Sequence, residues 1–139
     1  MTWFSWAVLS ALFAGCTAML AKVGVANVDS NLATAIRTFT ILVLASSIAA
    51  LSGRQSLSSV PARAWIFLAL SGVASGASWL CYFRALQLGQ ASKVAPVDKL
   101  SVVVTMVLAA ALLGERLTPV QWLGGVLIVA GAALVASDY

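Results

Sequence analysis

"PVDKLSVVVTMVLAAALLG", Pro96–Gly114, decides the fold. An aspartate and a lysine lead directly into an apolar run, Leu100–Gly114, whose polar side chains are Ser101 and Thr105. The hydrocarbon core of a bilayer is about 30 Å thick, so a spanning helix needs about 20 mainly apolar residues. Counted from about Val94 to Leu113, this stretch has the length of such a helix, with Asp98 and Lys99 inside it. Charges at the edge of a lipid-bound segment are costly, so their presence needs a reason.

Four further segments of similar length flank this one. They run from about Trp3 to Gly24, Ala33 to Leu51, Trp65 to Leu86 and Val120 to Ala136. The links between the five are short: "VANVDSN", "SGRQSLSSVPAR", "QLGQAS" and "GERLTP". Asn, Asp, Ser, Gly and Pro dominate them, as turns require. The whole chain of 139 residues is 62% hydrophobic and 9% charged, too few charges to coat a soluble domain. The expected fold is all-α: one polytopic membrane domain, residues 1–139, with five transmembrane helices and antiparallel neighbours. Trp3, Trp6, Trp65 and Trp122 lie near segment ends, where indoles favour the membrane interface.

The same composition excludes several functions. There is no histidine, no carboxylate pair and no Ser or Cys beside a candidate base, so no enzyme is expected. No phosphate loop or metal cluster is visible, and no cofactor or metal is expected. The net charge of +4 is spread thinly, without the basic, aromatic-rich cluster that nucleic acid needs. Cys16 and Cys81 fall inside apolar runs and read as small hydrophobes, not as a disulfide or metal site. "LFAGC", Leu12–Cys16, has the look of a lipoprotein cleavage box, but no basic residue precedes it as a signal peptide requires.

Five spans would put the two ends of the set on opposite membrane faces. Lys22, Arg37, Arg84, Lys93 and Lys99 then share one face, B, and Arg54, Arg63 and Arg116 the other, face A. All charges together favour B as cytoplasmic; clear loop charges alone favour A. A positive-inside rule that points both ways fits a chain that inserts in both orientations.

Intramembrane charges are the best pointers to function. Lys22 and Arg37 flank the first B-side turn, where they either snorkel to water or meet a ligand. Arg37 lies beside Thr38 and one turn from Thr34, a local polar patch. Arg84 and Asp98 bracket the third link, close enough in a helical hairpin to form an ion pair. That pair either fixes the hairpin or holds Asp98 as a substrate or proton site. Asp98, Ser101 and Thr105 share one helix face, a polar stripe that suits a wet cavity or interhelical hydrogen bonds. In "GVASGASWLCYFRAL", Gly72 and Gly76 form a close-packing signal, and Ser75, Trp79 and Tyr82 line one side as a packing face or a pocket wall. Gly124, Gly125 and Gly131 allow similar close approach in the last segment. Pro96 is expected in the first helical turn with Asp98, where the helix dipole favours a negative charge. That placement leaves Lys99 unexplained.

The second half of the chain resembles a known family. In "YFRALQLGQASKVAPVDKLSVVVTMVLAAALLGERLTPVQWLGGVLIVAGAALV", Tyr82–Val135, the shared pattern starts at Ala85-Leu86, the Gly89–Ser92 turn and Pro96. It continues through Leu113–Thr118, Gln121–Gly124 and Gly131. This resembles the EamA branch of the drug/metabolite transporter superfamily. The resemblance implies a five-helix unit, one half of a ten-helix inverted-repeat transporter in which fused copies of an odd-numbered unit insert oppositely. A more distant likeness to the small multidrug resistance proteins departs at their buried first-helix glutamate, because no acidic residue stands in this first segment.

The expected function is therefore secondary transport or export of small metabolites or drugs by alternating access, as an antiparallel homodimer of dual topology in the inner (plasma) membrane. The alternative is a non-transporting membrane subunit that pairs with and stabilises another half-transporter. Candidate substrate contacts are Arg37, Trp79, Tyr82, Asp98, Lys99, Ser101 and Thr105. Two substrate classes stay open: the basic B face suits an anion or zwitterion, and the aromatic walls suit a planar amine. Membrane lipid and a small-molecule substrate are the expected partners, besides the second copy.

Overall fold

Helix ends in this chain follow from local chemistry. In the computed structural model, which describes residues 2–53 and 57–137, the first helix, α1, is Trp3–Gly24. Arg54 and Gln55, in the second link, lie outside the described residues. Helix α2, Ser30–Ser52, starts earlier than its apolar pattern because Asp29 caps it. The Asp29 carboxylate accepts from the backbone N–H groups of Asn31 and Leu32, both at 3.0 Å. These are donors that the helix itself cannot satisfy. At the other end Gly53 takes a left-handed φ of 52° and its N–H reaches the Ala49 carbonyl.

A short 3-10 turn, Leu57–Ser59, precedes α3, Ala62–Leu88. The Pro61 carbonyl receives the Ala64 and Trp65 N–H groups, so the helix starts well before the Trp65 expected from hydropathy. Its 27 residues rise about 40 Å, longer than the hydrocarbon core, so Arg63 and Arg84 fall near water at opposite ends.

The fourth span differs from its expected form. It begins at Ala91, where the Gln90 carbonyl collects the N–H groups of Lys93 and Val94, both at 3.0 Å. Pro96 therefore sits inside helix α4, Ala91–Asp98, and not in a first turn. Asp98 ends that helix, so the expected stabilisation of Asp98 by a helix start is corrected. A proline inside a helix has no N–H for the carbonyl four residues back, and its ring crowds that carbonyl. The bond lost to Pro96 is that of the Ser92 carbonyl, inside α4; three residues on, the helix tightens at Lys99, whose N–H bonds the Pro96 carbonyl at 3.1 Å. Helix α5, Leu100–Leu112, then starts afresh.

Gly114, at φ 68°, stops α5 while the Leu113 and Glu115 N–H groups converge on the Ala109 carbonyl. Thr118 opens α6, Pro119–Ala136, with a capping box. Its hydroxyl accepts from the Gln121 N–H, and the Gln121 side-chain oxygen accepts from the Thr118 N–H at 2.7 Å. Much of the "GERLTPVQ" signature is thus explained by a helix stop and a helix start.

The fold is all-α, with no strand among the described residues. Five spans are long and apolar enough to cross a membrane: Trp3–Gly24, Ser30–Ser52, Ala62–Leu88, Ala91–Leu112 and Pro119–Ala136. Large apolar side chains along them are exposed, such as Leu20 at 74% and Phe39 at 67%. In water that surface would be prohibitive; in a bilayer it is the surface that lipid or another helix covers.

The chain divides into two compact units, each described by itself. One comprises Met1–Leu20 with Leu88–Tyr139. Within it, α6 packs along both α4 and α5, so one straight helix braces both sides of the break. Gly125 is buried at this contact, and a Cβ there would lie 3.4 Å from the Met106 methyl. The other unit is Ala21–Gln87, the end of α1 with α2 and nearly all of α3. Its core is Val25, Phe83 and Leu86, and Ser30 and Thr34 of α2 are buried as well.

Candidate functional site

In the Ala21–Gln87 unit, the last carbonyls of α3 and those of the link that follows α1 need partners that helical bonds do not give. Two side chains supply them across the unit. Lys22 Nζ donates to the Leu86 carbonyl. Gln87 Nε2 donates to the carbonyls of Val28, at 2.6 Å, and Val25, at 3.3 Å. Arg84 in turn donates to Gln87 Oε1 at 3.0 Å, which holds the amide with its N–H groups towards those carbonyls. Positive charge beside helix C-termini is favoured by the dipole. Lys22 is thus bound to backbone, and Gln87, which reads as a link residue in the sequence, ties the unit together. The signal for it was a polar side chain in the last turn of an apolar helix. The same interlock lines a hollow of about 290 Å³ bounded by Lys22, Val25, Ala26, Leu86 and Gln87.

Two helical turns into the membrane from this end lies Arg37. Seven residues separate it from Ser30, the start of α2, a rise of about 10 Å. Its guanidinium carbon stands 4.4 Å from the centre of the Trp79 ring and 5.4 Å from that of Phe83. The cation therefore reaches sideways to α3. On its own helix, Thr34 and Thr38 are turned inward on themselves, their hydroxyls donating to the carbonyls of Ser30 and Thr34 at 2.8 Å. Of the residues expected to share this wall, Trp79 and Tyr82 are half-buried. Phe83, fully buried, is a ring contact that the sequence pattern did not single out.

In the other unit, Lys99 Nζ lies 3.3 Å from the Asp98 carboxylate, an ion pair between neighbours placed at the break between α4 and α5. Lys99 is exposed and Asp98 half-buried. Ser101 and Thr105 follow on the exposed side of α5, where the Thr105 hydroxyl donates to the Ser101 carbonyl at 2.9 Å. The Asp98 and Arg84 contacts described here are both local to their own units. Among the glycines, Gly125 makes a close contact within its unit. A Cβ at Gly72, Gly76, Gly124 or Gly131 would meet no atom within 4 Å.

These features are those of a membrane carrier: five apolar spans, one of them broken beside an ion pair, and a cation facing aromatic rings inside another. Comparison with known proteins agrees. The profile of the EamA-like transporter family matches residues 1–137. The chain belongs to that family. A curated protein of a Sinorhizobium species, described as an uncharacterized transporter in the cobO 3' region, is 54% identical over 136 residues. The match covers 97% of this chain and 96% of the relative. No solved structure matches. This EamA-like protein is accordingly a multi-pass membrane protein with a transporter's role, and its family points away from catalysis.

Proposed function

We propose that the protein is a secondary transporter of small metabolites that works by alternating access as an antiparallel homodimer in the inner membrane. The observation that carries this reading is the break in the fourth span at Lys99, beside the Asp98–Lys99 pair. Transporters place substrate and coupling-ion sites at discontinuous helices, whose freed ends carry partial charge. An ion pair kept at such a break is a switchable element: substrate or a proton at Asp98 would release Lys99. In the Ala21–Gln87 unit, Arg37, Trp79 and Tyr82 form a second, separate candidate wall.

The dimer is supported by three features. The relative, matched over 96% of its own length, has the length of one such five-helix set. The basic residues give opposite orientations according to how they are counted. Gly72 and Gly76 of α3 and Gly124 and Gly131 of α6 leave open helix faces that a second chain can approach closely. A two-fold axis in the membrane plane would supply the inverted halves that alternating access uses.

Reconstitution tests the function. The purified chain alone, in liposomes, is expected to move at least one of a panel of labelled carboxylate, zwitterionic and amine metabolites faster than empty liposomes do. Absence of flux across the whole panel, from a chain that keeps its helical circular-dichroism spectrum, would instead mark a subunit that stabilises another half-transporter.

A further inference from the structure

Arg37 lies within a membrane-spanning helix, where a cation costs about 2.5–3.5 kcal/mol near the bilayer centre on insertion scales. A ring contact returns about 0.5–2 kcal/mol. The two aromatic faces therefore hold the guanidinium without fully offsetting it. Among the described residues no carboxylate forms an ion pair with it. Asp29, the one acidic residue of the Ala21–Gln87 unit, is bound to the start of α2 through its own cap bonds.

Charge distribution sharpens the point. The Ala21–Gln87 unit holds five of the eight basic residues, Lys22, Arg37, Arg54, Arg63 and Arg84, against one of the four acidic residues. The chain's entire net charge of +4 thus falls in this unit, while the basic and acidic residues of the other unit balance. Lys22 and Arg84 have hydrogen-bond partners in the interlock, and Arg63 lies near the Phe67 ring at the far end of α3. Among the described residues, Arg37 is the cation of the unit that is half-buried against Trp79, with Tyr82 nearby and no carboxylate paired to it. A guanidinium in ring contact offers its face to the ring and keeps its N–H groups in the plane, in the fork that matches a carboxylate.

We infer that Arg37, backed by Trp79 and Phe83, binds the carboxylate of a small organic anion whose apolar body lies against the aromatic wall. This deepens the transport reading and rests on it for its purpose, but binding itself requires no transport. The oxyanion could also be the phosphate of an anionic lipid. The depth of about two helical turns from the start of α2 favours a soluble carboxylate.

The test uses the full chain in detergent, with benzoate, 3-phenylpropanoate and benzylamine as probes at constant ionic strength. The two carboxylates are expected to raise the melting temperature saturably, as native-state ligands do, and benzylamine is not. Arg37→Gln is expected to abolish the response. Arg37→Lys, which keeps the charge but loses the fork, should raise the half-saturating concentration at least about tenfold, equal to about 1.4 kcal/mol. Arg63→Gln should respond like the parent. The Arg37→Lys comparison stands even if Arg37→Gln fails to fold. The inference is overturned if neither carboxylate acts, if benzylamine acts as well as they do, or if Arg37→Lys responds like the parent. It is also overturned if phosphatidylglycerol, in place of the carboxylates, gives the Arg37-dependent stabilisation. Binding without flux would sink the transport reading alone; flux without carboxylate binding would sink this inference alone.

Discussion

Gln87→Leu is expected to lower the melting temperature of the detergent-solubilised protein by several degrees. The amide satisfies the carbonyls of Val28 and Val25, and the 2.6 Å bond to Val28 makes that carbonyl the larger loss. A part-buried acceptor stripped of its donor costs about 1–3 kcal/mol, so the pair together should cost about 2–4 kcal/mol. Leucine keeps the size of the side chain, so packing changes little. The substitution also isolates the role of Arg84, which donates to Gln87. Arg84→Gln should destabilise the parent and have little further effect once Gln87 is leucine, a coupling that a double-mutant cycle measures. An equal effect in both backgrounds would mean that Arg84 acts through another partner, as the Arg84–Asp98 pair expected from sequence requires.

Pro96→Ala should have the opposite effect on stability and a larger one on activity. Alanine restores an N–H for the carbonyl four residues back and removes the ring's crowding. That gain is up to about 3 kcal/mol in a helix interior. The restored N–H serves the Ser92 carbonyl, inside α4, and relaxing that turn is expected to let α4 run on into α5 through Lys99. A continuous span would no longer hold Asp98 and Lys99 at a break, and flux in liposomes should fall at least about tenfold while the melting temperature rises. Unchanged flux in a stabilised variant would show that the break plays no part in transport. Such a trade of stability against activity is the usual mark of strain kept for function.

These two residues also show what could be read from the sequence. The five spans are legible because bilayer thickness sets a length that apolar runs such as Trp3–Gly24 visibly meet. Helix ends were less so. The hydropathy pattern of α2 starts at Ala33, yet the Asp29 cap carries the helix back to Ser30. Pro96 was visible as a helix signal, but its position within the helix depended on where the helix began. The start at Ala91, after Gln90, leaves Pro96 inside the helix. In the sequence Arg37 and Trp79 are separate polar and aromatic features; their juxtaposition needs α2 and α3 side by side. The Gln87 interlock joins residues about 60 positions apart, which no local pattern encodes.

The proposal of an antiparallel working pair is tested most directly by topology. Single cysteines are placed at Gln55 and at Gln90, in the second and third links, in a background with Cys16 and Cys81 replaced by serine. Intact cells are then treated with a membrane-impermeant thiol reagent. Adjacent links bracket one span, Ala62–Leu88, and so emerge on opposite faces in any single orientation. If the chain inserts both ways and pairs head to tail, each site is labelled in part, and the two fractions add to about one whole population. If one site labels fully and the other not at all, every copy points the same way, and the antiparallel homodimer is contradicted.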